Sequence, residues 1–161
     1  MPARQPLQIE KKIWDVNVLA IYLVEDHPGH RYVAPIVDRG LRGEYVPIIL
    51  DILPLRAYWI MERKWKIDSD EARAAVLDFI EKCEALQFTS LRKETIAEAF
   101  KLAEKFDHDV YDCTYIALAK QEEASAIVTT DTDFKELCKK AGLKYENPVP
   151  EKVLKKFKSY K

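Results

Sequence analysis

The chain has 161 residues, of which 48% are hydrophobic, and these values predict one folded domain over residues 1–161 with a sizeable core. Charged residues make up 33% of the chain but leave a net charge of only −1, which argues against a strongly basic nucleic-acid binder while leaving room for a local basic groove. Three widely spaced cysteines without a CxxC pair are typical of reduced thiols in an intracellular protein.

The first residues and the most apolar segment both argue against a membrane protein. Residues 1–11 are polar and lack the apolar region of a signal peptide, so we expect a loose leader. The apolar window at 46–61 is interrupted by charged residues and proline and is too short to span a bilayer. We therefore expect a cytoplasmic protein that does not contact the membrane.

Strands and helices alternate from the beginning of the chain. The elements predicted before residue 44 are a strand at 13–16, a helix at 18–24, a turn at 26–30 and a helix at 31–43. Residues 45–53 allow two interpretations. In one, a helix begins at Pro47 and is kinked by Pro54; in the other, a strand runs to Leu50 and the helix begins near Asp51.

The second half of the chain continues the alternation. Strands are predicted at 86–89, 126–130 and 143–145, and helices at 69–83, from about 91 to 106, and at 110–122, 133–141 and 151–161. Ser69 is the expected N-cap of the first of these helices, and Gly142 the residue that ends the fourth. Such alternation predicts an α/β fold with a mostly parallel sheet covered by helices on both faces.

Four aspartates are each attached to an apolar element that should pack inward. Asp15 and Asp131 follow strands, Asp51 follows a run of Ile and Leu, and Asp112 lies near the start of a helix. Ligands of open α/β sheets bind beyond the carboxyl ends of the strands, so we expect these acids to meet there. Clustered carboxylates repel one another, and a divalent cation that prefers oxygen ligands, such as magnesium, relieves this. The pattern therefore predicts metal-assisted hydrolysis of a phosphodiester.

Several neighbours of the acids have two interpretations. Asn17 and Thr129 could orient a water or a carboxylate, and Asp133 is a secondary site candidate whose first interpretation is a helix cap. His108 is either a proton carrier or a surface histidine. Arg56 and Arg63 either contact RNA phosphates or belong to a solvated helix face. Trp59 or Trp65 could stack on bases beside these arginines.

The acidic segments, taken in order, resemble the PIN-domain family and, within it, the VapC-like toxin ribonucleases. The resemblance extends from about residue 13 to 145, and the pieces that carry it are DVNVL at 15–19, VPIILDIL at 46–53, YDCTYIALA at 111–119 and VTTDTDF at 128–134. One departure concerns the second acid, which is usually Glu in this family and is Asp51 here.

The resemblance implies a sheet of strand order 3-2-1-4-5 and a ribonuclease that depends on Mg²⁺ or Mn²⁺. It implies that the catalytic acids are Asp15, Asp51, Asp112 and Asp131, with Asp15, Asp112 and Asp131 as metal ligands. It also implies an RNA substrate, a homodimer and an inhibitory antitoxin protein. Three alternatives stay open: an RNA-processing PIN nuclease without an antitoxin, a catalytically weak PIN-like interaction module, and an aspartate-based phosphatase. The phosphatase would require a second Asp where Asn17 stands.

Overall fold

The computed structural model describes residues 8–160, which form five parallel strands and the helices that connect them. The strands are β1 (Lys11–Trp14), β2 (Val46–Leu50), β3 (Gln87–Thr89), β4 (Ala126–Val128) and β5 (Lys144–Glu146). Their order across the sheet is β3-β2-β1-β4-β5, as predicted. The order reverses at β1, so the two crossovers that leave β1 on either side open a crevice at the carboxyl edge of the sheet.

Helices cover both faces of this sheet, as predicted. They are α1 (Val16–Tyr22), α2 (His30–Leu41), α3 (Leu53–Trp59), α4 (Ser69–Lys82), α5 (Lys93–Phe106), α6 (Val110–Glu122), α7 (Phe134–Ala141) and α8 (Glu151–Leu154). A π-helical turn at Ile60–Lys64 extends α3, and a 3₁₀ turn at Phe157–Ser159 follows α8.

The alternation of side chains along the strands creates two cores. Trp14 at the end of β1 faces a core formed with α1, α2 and α3, whereas its neighbour Ile13 faces a core formed with α5, α6 and α7. Val128 and Ile127 of β4 divide in the same way. Successive strand residues point to opposite faces, so a strand buried on both sides must be apolar at every position. The carboxyl ends of β1 and β4 are therefore fixed from both faces.

Several boundaries differ from the sequence prediction. β1 begins at Lys11 and ends at Trp14, so Asp15 and Val16 belong to the start of α1 rather than to the strand. β4 ends at Val128, two residues before the predicted end. In both cases the chain turns as soon as its apolar side chains are buried, because the next polar groups hydrogen-bond to the turn itself.

The ambiguous segment follows the second interpretation. Val46–Leu50 is a strand in which Pro47 is accommodated, and the helix begins at Leu53 with Pro54 in its first turn, where a missing N–H costs nothing. Asp68, rather than Ser69, caps α4, and its carboxylate accepts hydrogen bonds from the backbone of Asp70 and Glu71.

The two ends of the chain also differ from the expectations. The loose leader expected over residues 1–11 lies mostly outside the described residues, and its last residue already pairs in β1. The C-terminal helix expected over 151–161 is broken into α8 and a 3₁₀ turn, and residue 161 lies outside the described part. None of the helices formed by residues 8–160 is long and apolar enough to cross a membrane.

The 3₁₀ turn is held by a buried aromatic cluster around His27. The His27 ring lies 4.7 Å from the ring centroids of Trp65 and Phe157 and 4.6 Å from that of Tyr160. Its Nδ1 accepts a hydrogen bond of 3.0 Å from the backbone N–H of Gly29, and the Tyr160 hydroxyl donates to Asp26. Burial lowers the pKa of His27 to about 4, against opposition from Asp26, because a charged imidazolium is disfavoured among these rings.

This cluster predicts that the protein loses stability when it is acidified. His27 binds a proton more weakly in the folded state, so its stabilising contribution is complete above about pH 6.5 and disappears as the pH falls towards about 4. We expect the free energy of unfolding to fall by about 2 kcal/mol between pH 7.5 and pH 5 on this account. Urea titrations at the two pH values measure the change.

The matched control is His27→Asn, whose side-chain oxygen can still accept the hydrogen bond from Gly29 but does not titrate. Every other ionisable group is retained, so the difference between the two pH profiles isolates the imidazole. Equal profiles for the wild type and the variant would show that burial of His27 does not produce the pH dependence.

Candidate active site

Two of the predicted acids lie at the carboxyl edge of the sheet, where β1 and β4 run side by side. Trp14 pairs with Val128, and the backbone N–H of Asp15 continues the ladder with a 3.0 Å hydrogen bond to the Val128 carbonyl. Asp15 is then the N-cap of α1, and Thr129 continues beyond β4. The two chain segments therefore leave the sheet at the same point and bring their polar residues together.

The Asp15 carboxylate is buried and held on both oxygens. Oδ1 accepts a 2.7 Å hydrogen bond from the backbone N–H of Val16, and Oδ2 accepts from the Thr129 hydroxyl at 2.8 Å and from the Asn17 side-chain amide at 3.0 Å. Only 5% of the residue is exposed. Three donors on one carboxylate fix its orientation, which a metal ligand or a catalytic base requires.

Despite these donors, the pKa of Asp15 is raised. Burial is the largest cause, the hydrogen bonds from Thr129 and Val16 oppose it, and the negative charge of Asp131 raises the pKa further. The site therefore holds a carboxylate in an environment that disfavours its charge. A nearby cation would reverse this balance.

Asp112 joins the group from α6. The carboxylate of Asp109 caps this helix by accepting hydrogen bonds from the backbone N–H groups of Tyr111 and Asp112, at 2.8 and 3.2 Å. His108 Nε2 lies 3.0 Å from Asp112 Oδ2, and both side chains are half-buried. Burial raises the pKa of Asp112, His108 opposes it, and the charge of Asp131 raises it further.

Asp131 interacts electrostatically with both other acids but does not end the strand. It lies three residues beyond Val128, where its backbone N–H donates to the Thr129 hydroxyl at 3.0 Å. Its Oδ1 accepts a hydrogen bond of 2.9 Å from the backbone N–H of Asp133. Asp133 precedes α7 as its N-cap residue but makes no side-chain cap hydrogen bond, so the predicted capping role of that side chain is wrong.

Thr129 and Asn17 connect these segments. Thr129 is completely buried, and its hydroxyl donates to Asp15 while accepting from the backbone of Asp131. Asn17 donates to Asp15 and accepts a 3.1 Å hydrogen bond from the backbone N–H of Thr130. Both residues therefore hold the turn after β4 against the start of α1, which places Asp131 relative to Asp15.

The Thr129 hydroxyl provides a direct test of this connection. We expect Thr129→Val, which keeps the shape but removes both hydrogen bonds, to weaken divalent-metal binding about 10- to 100-fold. Isothermal titration with Mn²⁺ measures the affinity. Thr129→Ser retains the hydroxyl and is the matched control; equal affinities for the Val and Ser variants would show that the hydroxyl does not position the acids.

Asp51 is not brought together with the other three acids. It follows β2, is exposed, and accepts a 2.6 Å hydrogen bond from the Ser90 hydroxyl beyond β3. Among the hydrogen bonds and ion pairs of residues 8–160, none connects it to Asp15, Asp112 or Asp131. It lies instead beside an apolar groove of about 420 Å³ between α3 and α4. The reason is its position after an outer strand of the crevice, where the turn directs it towards β3.

The predicted RNA-contacting residues separate into two groups. Arg56 and Trp59 are exposed on α3, and Arg63 is exposed on the π-helical turn, where its Nε lies 3.2 Å from Glu62. Trp65 packs against His27 and Tyr160, so it is not free to stack on a base. Trp59 is 52% exposed, with the Lys64 ammonium 5.7 Å from its ring centroid.

Tyr115 is a site residue that the sequence analysis did not single out. Burial and the neighbouring Asp15 carboxylate raise the pKa of its hydroxyl, and the Arg56 guanidinium lowers it, which places Tyr115 between Asp15 and Arg56. Its ring packs edge-on against Phe134. Tyr115 follows Asp112 by three residues on α6, and this spacing places the two side chains on one helix face. That spacing was the available signal.

The donor set fits a hard divalent cation held partly through water. No three Asp, Glu, His or Cys side chains within residues 8–160 lie close enough together to hold a metal ion directly. Mg²⁺, however, is usually bound through one or two carboxylates and retains several waters. Asp15, Asp112 and Asp131 supply such carboxylates, and the raised pKa values of Asp15 and Asp112 reflect the absence of a compensating positive charge.

Carboxylates at the carboxyl edge of a five-stranded parallel sheet define the general class of α/β protein. The family model of the PIN domain matches residues 13–140, and the chain belongs to the PIN-domain family. No curated protein matches it significantly.

Two solved structures share this fold. The sarcin-ricin loop cleaving toxin VapC20 of Mycobacterium tuberculosis has 12% identity and a TM-score of 0.62, over 78% of this chain and 94% of that one. VapBC2 of Rickettsia felis, crystallised with a DNA fragment from its promoter, has 16% identity and a TM-score of 0.61, over 85% and 98%. At these identities the similarity concerns the fold.

Proposed function

We propose that this protein is a ribonuclease that hydrolyses RNA phosphodiester bonds with Mg²⁺ or Mn²⁺. The observation that carries the proposal is the buried Asp15 carboxylate, whose charge is disfavoured by burial and by Asp131 although three donors orient it. Asp15, Asp112 and Asp131 are the proposed metal ligands. The PIN-domain match and the fold shared with a toxin that cleaves the sarcin-ricin loop support RNA as the substrate class.

The chain's own residues divide the work at this site. Thr129 and Asn17 hold Asp15 and the turn of Asp131 in register, so that the acids face a common position at the edge of the sheet. His108, paired with Asp112, is in place to accept or deliver a proton. A divalent cation, when bound, would polarise the phosphate and lower the pKa of water. Exposed Arg56 and Arg63 would contact the RNA phosphates.

The proposal extends to partners and location. We propose that the protein is the toxin of a toxin-antitoxin pair, that it forms a homodimer, and that it acts in the cytoplasm. The fold shared with VapBC2, a toxin–antitoxin complex, supports a protein partner. Co-expression with the product of the adjacent gene, followed by purification on a tag carried by this chain, tests the partner separately from catalysis.

Cleavage of a labelled RNA tests the nuclease function. We expect cleavage with Mn²⁺ or Mg²⁺, none with EDTA, and restoration when metal is added back. Asp131→Asn should lose activity while remaining folded, because the residue is only partly buried. Cleavage that survives EDTA, or an Asp131→Asn variant as fast as the wild type, would overturn the proposal.

One observation favours the catalytically weak alternative, and a single variant separates the two. Asp51, the expected second acid, is exposed and bound by Ser90 rather than by the site. If the three other acids suffice, Asp51→Asn should retain wild-type cleavage within about threefold, since surface substitutions usually have small effects. A loss as large as that of Asp131→Asn would return Asp51 to the catalytic group. No cleavage by the wild type under any metal would favour an interaction module.

A further inference from the structure

The most exposed aromatic side chain near the acids is Tyr111. It is 72% exposed, the largest value among the exposed large hydrophobic residues of the described chain, and it directly precedes Asp112. A tyrosine ring in this position buries little of its surface, so packing does not explain it. Its backbone N–H is fixed by Asp109, which means that the first turn of α6 is rigid where Tyr111 projects.

Helix geometry places Tyr111 on the side of α6 that faces the acids. Successive residues turn by about 100°, so Tyr111 and Tyr115 are neighbours on one face, and Tyr115 lies between Tyr111 and Asp112 around the helix axis. Tyr115 approaches Asp15. Side chains also tilt towards the helix N-terminus, so the Tyr111 ring stands one turn outward from Tyr115, at the rim of the acidic site.

We propose that Tyr111 is a stacking platform for an unpaired base of the RNA that lies beside the cleaved phosphate. The inference rests on the proposed nuclease function and names the form of its substrate, a single-stranded segment. Every nucleobase presents a flat π-face, so an exposed ring one residue from a catalytic acid can hold a strand without reading its sequence. Arg56 lies on the other flank of Tyr115, where it can neutralise a phosphate of the same strand.

The surroundings favour a nucleotide over a protein partner. The segment 107–112 carries Asp107, His108, Asp109 and Asp112 around this one ring, so it does not form the apolar patch that a protein interface needs. The other exposed rings and aliphatic chains of this region, Ile96 and Phe100, belong to α5.

Substitution of the ring tests the inference in the complete protein. With a fluorescent single-stranded RNA and Mn²⁺, we expect Tyr111→Ala to raise KM about 5- to 100-fold with little change in kcat, because stacking contributes to binding rather than to chemistry. Tyr111→Phe should retain the wild-type KM because it keeps the ring. Tyr111→Leu should behave like Ala, since it replaces apolar surface without a π-face.

Phe100→Ala is the matched control. Phe100 is 63% exposed on α5, and its removal should leave KM unchanged. Thermal unfolding should be the same for all four variants. A Tyr111→Ala variant that cleaves with the wild-type KM would overturn the inference, and so would a Leu variant as good as Phe.

The failure of the inference can be distinguished from that of the nuclease function. If the wild type does not cleave RNA, fluorescence anisotropy with the same RNA measures binding alone, and a loss confined to the Ala and Leu variants still supports stacking. If those variants bind RNA normally but change the oligomeric state in light scattering, Tyr111 is a protein contact and the inference is wrong.

Discussion

The Asp15→Asn variant is expected to cleave RNA at least about 100-fold more slowly than the wild type, because it removes the charge of the most deeply buried acid of the site. The substitution also places an amide among the donors Val16, Asn17 and Thr129, so one of these contacts becomes a donor facing a donor. Initial rates at saturating Mn²⁺, with a gel-based cleavage assay, measure the loss.

Thermal unfolding separates the loss of the site from the loss of the fold. Burial of a carboxylate that prefers to be neutral costs stability, so metal-free Asp15→Asn should unfold at a temperature no lower than the wild type. Mn²⁺ should raise the unfolding temperature of the wild type and affect the variant much less, since only a bound ligand stabilises the folded state.

The control for Asp15→Asn is Asp78→Asn, which removes an exposed carboxylate that pairs with Lys82 on α4. We expect it to cleave RNA normally and to gain stability from Mn²⁺ like the wild type. If Asp15→Asn cleaved at the wild-type rate and gained as much from Mn²⁺, Asp15 would not be a metal ligand.

The second large effect is expected at Trp14, the residue before Asp15. Its side chain is fully buried, and Nε1 donates to the Tyr45 hydroxyl at 3.0 Å, which in turn donates to the Ile36 carbonyl at 2.6 Å. Trp14→Ala should lower the free energy of unfolding by about 3–5 kcal/mol through the cavity it leaves. Urea denaturation with circular dichroism measures the change.

Two further variants check the cause. Trp14→Phe keeps an aromatic ring and should lose less than Trp14→Ala, although Tyr45 then lacks its donor. Trp59→Ala removes an exposed tryptophan and should change the free energy of unfolding by less than about 0.5 kcal/mol. A loss for Trp14→Ala no greater than for Trp59→Ala would show that the strand end does not depend on this packing.

Periodicity predicted most of the elements but not their termini. The alternation of helices and strands gave the layers, and α6 was predicted with its observed bounds because an acid cap and an unbroken Ala-rich sequence define it. The ends of β1 and β4 were placed too late. Thr129 and Asp15 continue apolar segments in the sequence, and only the pairing between distant segments shows that their polar atoms already belong to turns.

The site was predicted in part for the same reason. Asp15, Asp112 and Asp131 follow from residue type and from the rule that strand ends meet at one edge of a sheet. Asp51 obeys the same rule, yet a hydrogen bond from Ser90 directs it towards β3. Tyr115 was missed because an aromatic residue at helical spacing usually belongs to the core, and its approach to Asp15 depends on how α6 lies across the sheet.

The position of β1 between β2 and β4 has a consequence for the newly made chain. Asp15 leaves the ribosome early, whereas Thr129, to which it is hydrogen-bonded, follows 114 residues later. Until then one edge of β1 has no neighbour and the Asp15 carboxylate has lost one of its donors. A nascent chain or a fragment that ends before Ala126 cannot assemble the site, so whatever chemistry these acids perform is withheld until synthesis is nearly complete.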